Sequence, residues 1–204
     1  MSICNEHNLT REPPPVFPVG TEVVALDEDT FAPCCLLNGW VGLQGPGVQE
    51  PRIFGVLLPG DALTHIAGHG RCAAVGLTPT RFATPQSTVF EGVPHYIIRQ
   101  VFRLSQMNAL ERTADFLLET GQRLRGTVYC PEWTYSQPLT QNQMGEMLGL
   151  SSVHMNRTLR RLSDMALIRY VPGKVAILDP EALAKLAGSV IEAVPERDPR
   201  ISFH

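Results

Sequence analysis

The strongest constraint on the fold is a change in how glycine and proline are spaced. From Val16 to about Phe90 the chain is cut every few residues by one or the other. Between the cuts lie short apolar runs: Glu22–Leu26, Cys34–Leu37, Trp40–Leu43, Ile53–Leu58 and Ala73–Leu77. Runs of this length, with turns at such spacing, predict a small antiparallel barrel or sandwich. Leu37-Asn38-Gly39-Trp40 reads as a hairpin turn, because Asn-Gly accepts the positive φ that a tight turn demands. After Pro94 the interruptions stop, and residues 95–125 hold no proline and one glycine, Gly121. There Ile97, Val101, Leu104 and Asn108 recur at i, i+4, i+7 and i+11, a helical stripe that can bury against its own barrel or against a second copy of itself, the dimer seam being the preferred reading. Leu110, Ala114, Leu117, Leu118 and Leu124 carry a second stripe to about Arg125. Gly126 to Pro138 reads as a linker with a short strand around Val128–Cys130.

The charge divides in the same place. Residues 1–94 hold 4 basic and 9 acidic side chains, whereas residues 138–178 hold 5 basic and 2 acidic ones. The formal net charge of −3 therefore conceals a basic module behind an acidic one, and only the local charge meets a phosphate backbone.

The basic module is also the most patterned. Thr140 followed by Gln143 is a capping-box start, Met144, Met147 and Leu148 form a buried face, and Gly149 supplies a sharp turn. Small Gly145 allows close helix approach, and Ser151 is placed to cap a second helix. In that helix Met155, Leu159 and Leu162 face inward. At 100° per residue, Val153, Arg157 and Arg160 fall opposite, flanked by His154, Asn156 and Arg161, with no carboxylate before Asp164. Arginine can bond guanine bidentately, and Ser, Asn and His can bond base edges and phosphates. Leu167–Tyr170 and Val175–Leu178 then read as two strands joined by Val171-Pro172-Gly173-Lys174, a wing with a lysine at its tip.

The stretch Leu148–Leu159 (LGLSSVHMNRTL) resembles the winged helix of the Crp/Fnr family of regulators. Upstream, Leu37-Asn38-Gly39-Trp40 resembles the family's strand–Gly turn, Leu58-Pro59-Gly60-Asp61 its Pro-Gly-Asp turn, and Arg71–Thr78 its Arg-Ser-Ala strand. The resemblance covers roughly residues 17–187. It implies an α+β fold with an N-terminal antiparallel, cupin-like β-roll, a central dimerisation helix and a C-terminal winged helix-turn-helix. The corresponding boundaries are a tail over 1–15, the β-roll over 16–92, the dimerisation helix over 93–112, the DNA-binding domain over 113–190 and a tail over 191–204. It places Thr140 and Gln141 at phosphates, Ser152, Val153, His154 and Arg157 at bases, and Lys174 on the wing; Ser151, Asn156 and Arg160 complete the DNA-binding set. The implied partners are double-stranded DNA, a second copy of the chain and RNA polymerase.

The departures bear on what is sensed. Cyclic-nucleotide-binding members carry Gly-Glu after the Pro-Gly-Asp turn and then Arg-Ser or Arg-Thr. Here the chain runs Asp61-Ala62-Leu63-Thr64-His65-Ile66-Ala67-Gly68-His69-Gly70-Arg71-Cys72, without the Glu and with Cys72 in place of the hydroxyl. Cys4 stands alone where iron–sulfur members have an N-terminal cluster. No cofactor is expected. Two alternatives stay open: a metal held by His65, His69 and Cys72 if their loop turns helically, and a redox role for Cys34 and Cys35. Solvated histidines and inertly packed cysteines are the plainer readings.

A cupin-type metalloenzyme is the rival from another class, but the barrel has no His-x-His pair and no Glu between Glu50 and Glu91. Gly-x-Ser-x-Gly, Walker-type, Gly-x-Gly-x-x-Gly and His-Glu-x-x-His motifs are also missing, so no enzyme is expected. A winged helix whose basic face meets an acidic protein is a third reading. Five cysteines without framework spacing, no signal-like start and no long apolar run point to the cytoplasm and away from a membrane.

Overall fold

The computed structural model describes residues 15–25, 34–47, 50–63, 72–83, 95–125 and 129–191. The chain divides into two compact units, one built on the residues up to Val93 and the other on Pro94–Arg197.

Among the described residues the regular elements of the first unit are strands: β1 (Glu22–Ala25), β2 (Cys34–Asn38), β3 (Val41–Gly45), β4 (Arg52–Leu57), β5 (Ala62–Leu63), β6 (Ala73–Gly76) and β7 (Arg81–Ala83). They form two antiparallel sheets, in the orders β1-β6-β3-β4 and β5-β2-β7. Leu36, Val41, Leu43, Leu57, Leu58 and Ala74 are fully buried in its core. The short strands β5 and β7 were not singled out in the sequence. The Asn38-Gly39 turn is not a hairpin: β2 and β3 lie in different sheets, so it is a corner between them. Gly39 has φ +89°, and a Cβ there would stand 2.3 Å from the Pro79 carbonyl oxygen, so the corner needs glycine for space as well as for angle. The Pro-Gly-Asp turn is closed by the Asp61 carboxylate, which accepts from the Leu58 amide at 2.6 Å.

Cys34 is buried and Cys35 half-buried on β2, so the two alternate faces as adjacent strand residues must. Burial, helped by the Asp61 charge, pushes the Cys35 thiol up, away from the reactive thiolate. His65, His69 and Arg71 lie outside the described residues; Cys72, just before β6, is half-buried. Among the described residues no cluster of His, Cys, Asp and Glu could hold a metal, and no helix is long and apolar enough to cross a membrane.

The second unit is built around α2 (Ala109–Leu124), nearly all of whose last three turns are buried. Around it stand α1 (His95–Gln106), α3 (Gln141–Leu148), α4 (Ser152–Asp164), α5 (Pro180–Ala187) and a three-stranded sheet. That sheet has the order β8-β10-β9, from β8 (Thr134–Gln137), β9 (Ile168–Val171) and β10 (Gly173–Ile177). The linker strand thus falls at Thr134–Gln137 rather than around Val128–Cys130; Tyr129 and Cys130 precede it, and Val128 lies outside the described residues.

The α1 stripe ends before Asn108. Asn108 leaves the helical conformation and caps α2, its side chain accepting from the amides of Leu110 and Glu111 while the Glu111 carboxylate accepts from the Asn108 amide. A side chain that satisfies a new helix start cannot continue the old one.

α1 is also turned inside out. Its buried side is polar: Gln100 donates to the Met147 carbonyl at 2.6 Å, and Arg103 donates to the carboxylates of Asp115, at 2.5 Å, and Glu119. Arg99 and Ser189 also donate to Asp115, whose side chain is 1% exposed. Burial pushes the Asp115 and Glu119 carboxyls up, but the surrounding arginines (for Asp115 with Ser189) outweigh it and hold both below the usual range. The outer side of α1 is apolar, with Ile98 at 58% exposure, Val101 at 61%, Phe102 at 53% and Leu104 at 46%. Ile97 is half-buried, so the exposed stripe centres on Ile98, Val101 and Phe102, two of which the sequence pattern had not marked.

Candidate nucleic-acid interface

α3 and α4 owe their geometry to local chemistry. Thr140 accepts from the Gln143 amide and the Gln143 side chain accepts from the Thr140 amide, a complete capping box. The helix ends on Gly149 in the left-handed region, φ +66°, which turns the chain sharply toward α4. Gly145 lets that turn close: the Leu150 amide donates to its carbonyl at 2.7 Å, and a Cβ on Gly145 would lie 2.7 Å from the Leu150 oxygen. Ser151 caps α4 by accepting from the His154 amide.

With Met155, Thr158, Leu159 and Leu162 buried, the opposite face of α4 is fixed. Ser151, Ser152, Val153, His154, Arg157, Arg160 and Arg161 are all exposed. Among the described residues none of the three arginines enters an ion pair, so their charge faces outward unneutralised. Along one flank, Ser151, Val153, His154, Arg157 and Arg161 line an open groove whose other wall is the start of α2.

Two candidates are engaged inside the unit. The Asn156 amide nitrogen donates to the Gln141 side-chain oxygen at 2.9 Å, and the Gln141 side chain also lies close enough to Tyr170 to oppose the upward push of burial on its hydroxyl. Asn156 lies a quarter-turn from the buried face, where α4 meets α3, and is half-buried. This pair braces the two helices. Tyr170 itself carried no signal in the sequence beyond its place in a strand.

The wing turns at Val171-Pro172-Gly173, with Gly173 at φ +84° and open space around it. Lys174 is exposed beside the turn, between Val171 and Ser136 in the ladder, and Arg169 is exposed opposite Ala176. Thr140, the α4 face and Lys174 are thus presented by one unit, each at the start of a helix or beside a turn. Arg112, on α2, ties that unit together by donating to the Met107 carbonyl after α1 and the Leu148 carbonyl at the end of α3.

Residues 111–186 match the family model described as a Crp-like helix-turn-helix domain. The transcriptional activatory protein AadR of Rhodopseudomonas palustris is 27% identical over 157 residues, covering 68% of this chain and 65% of that protein. The transcriptional activator protein Anr of Pseudomonas protegens is 33% identical over 89 residues, 44% of this chain and 36% of that protein. The chain therefore spans just under two thirds of the first relative's length and about a third of the second's. Among solved structures, FixK2 from Bradyrhizobium japonicum superposes with a TM-score of 0.70 at 21% identity, covering 87% of this chain and 97% of that one. A transcriptional regulator of Thermus thermophilus gives 0.64 at 18% identity, covering 85% and 97%.

Proposed function

We propose that this chain, which is of the Crp/Fnr type in its fold and in its helix-turn-helix domain, regulates transcription as a homodimer that binds a near-palindromic DNA operator. The observation that carries the reading is the outer face of α4. Three arginines without ion-pair partners among the described residues stand on a capped helix with no carboxylate before Asp164, the composition that a polyanionic groove selects.

Dimerisation is supported by α1. A helix that buries arginines and exposes Ile98, Val101 and Phe102 leaves its apolar side for another surface, and a second copy of the same helix meets it symmetrically. In this reading Ile97 and Leu104 flank that seam. Two α4 helices then address inverted half-sites about one helical turn, roughly 34 Å, apart. Thr140 and Lys174 sit at phosphates, Gln141 and Asn156 position α4, and Ser152, Val153, His154, Arg157 and Arg160 face bases. RNA polymerase, a partner implied by the resemblance, belongs to this proposal. The loss of Gly-Glu after Asp61 supports a regulator that takes no cyclic nucleotide, and the protein is a binding protein rather than an enzyme.

Selection of genomic fragments with the full-length protein tests this. The expected outcome is an enriched inverted repeat whose affinity falls steeply as salt rises. Equal affinity for all duplexes would overturn the reading and favour a protein partner for the basic face.

A further inference from the structure

One residue on the reading face of α4 is out of character. Val153 sits in the first turn, two residues after the Ser151 cap, and is 61% exposed among serines, a histidine and arginines. It points directly away from the Met155 side of the helix and shares its face with Arg157, one turn on. Valine is a poor choice for an exposed helical position, since its β-branch restricts it against the preceding turn and a straight-chain residue is better there. Within the unit it only borders the open groove facing the start of α2, and most of its surface stays in solvent.

A reading surface gives such a side chain one use. The major groove offers hydrogen-bonding edges to polar residues and a single apolar group, the C5-methyl of thymine. Valine cannot bond the edges, but it can take that methyl out of water. The Cβ atoms of Val153 and Arg157 are about 6 Å apart by helix geometry, and base pairs rise by about 3.4 Å. The two residues therefore address positions no more than about two base pairs apart.

We propose that Val153 is a specificity-determining residue whose ligand is a thymine methyl in each half-site, within two base pairs of the guanine read by Arg157. This rests on the DNA-binding reading above. It also assigns a division of labour along α4: the apolar contact belongs to the first turn and the guanidinium contact to the second, and no carboxylate on this face is available to accept from cytosine N4.

The test uses the full-length protein and a duplex recovered by the selection. Each thymine of a half-site is replaced singly by deoxyuridine, which removes the methyl and leaves base pairing intact. One thymine per half-site, next to the Arg157 guanine or one pair removed, should show about a fourfold loss of affinity, the worth of one buried methyl. Replacing it in both half-sites should give roughly sixteenfold. Val153→Ala, which is a better helix former at an exposed site, should still prefer the operator but no longer distinguish thymine from uracil there. Uracil tolerated at every position by the unaltered protein, or sensitivity that survives in Val153→Ala, would sink this assignment while leaving operator binding intact. Absence of any operator preference in the unaltered protein would instead remove the reading on which it rests.

Discussion

Asp115→Asn is the most informative single change in the second unit. The substitution keeps the shape of a side chain that is 1% exposed and removes the charge onto which Arg99, Arg103 and Ser189 converge. Arg103, 3% exposed, is left with Glu119 as its remaining carboxylate. Breaking a buried pair by removing one partner costs about 3–5 kcal/mol. The surviving Glu119 contact and the 14% exposure of Arg99 place the expected loss at the lower end, about 3 kcal/mol. Among the described side chains of α1 the buried ones are Gln100 and Arg103, so no buried apolar side chain among them stands in for the lost charge. Hydrogen exchange of the α1 and α2 amides in the full-length protein reads this unit directly, and protection should fall by roughly a hundredfold. Asp164→Asn, on an exposed helix end, serves as the control and should stay within about 0.5 kcal/mol. A loss below about 1 kcal/mol for Asp115→Asn would refute the idea that the buried ion network holds α1.

The same network should respond to acid. The Asp115 and Glu119 carboxyls are held below their unfolded values, so their contribution is complete above the unfolded carboxylate range and is lost as pH falls below about 4. Denaturant unfolding at several pH values should show that limb, and it should flatten in Asp115→Asn. Arg157→Ala should cost about 1–3 kcal/mol of operator binding and relax preference at one base pair; an unchanged specificity profile counts against the assignment. Val101→Glu places two carboxylates in an apolar seam at a cost of at least about 3 kcal/mol, raising the dimer dissociation constant more than about a hundredfold; a dimer persisting by light scattering at micromolar concentration argues for another interface. Gly145→Ala should destabilise by about 1–3 kcal/mol despite alanine's better helix propensity, because its Cβ meets the Leu150 carbonyl oxygen; an unshifted urea midpoint contradicts the packing argument.

The parts of the molecule that were readable in advance are those decided within a few residues. The Thr140–Gln143 box, the Gly149 turn, the Ser151 cap and the outward face of α4 each follow from chemistry spanning one or two turns. What depends on distant partners was not readable. Asn-Gly at 38–39 suits a hairpin and a corner equally, and only the choice of sheet partners makes it a corner. β8 was missed because its inward positions, Tyr135 and Gln137, include a buried amide, which breaks the apolar alternation of a half-buried strand. The inner side of α1 hid for a related reason: arginines read as solvent-facing until the carboxylates of α2, about two and three turns into the next helix, are brought beneath them. The candidate site shares this limit. Gln141 and Asn156 look like free reading groups in sequence, and their engagement with each other comes from the approach of two helices.

The polar underside of α1 bears on how this protein can be taken apart. Because Arg99, Gln100 and Arg103 find their partners on α2 and α3, this helix is cargo of the C-terminal half, whatever is fused in front of it. A chimera that keeps the C-terminal unit and exchanges the strand-built one should therefore be joined upstream of His95. A junction placed after Gln106 would strand Asp115 without Arg99 and Arg103 and leave Glu119 with Arg123, four residues along its own helix.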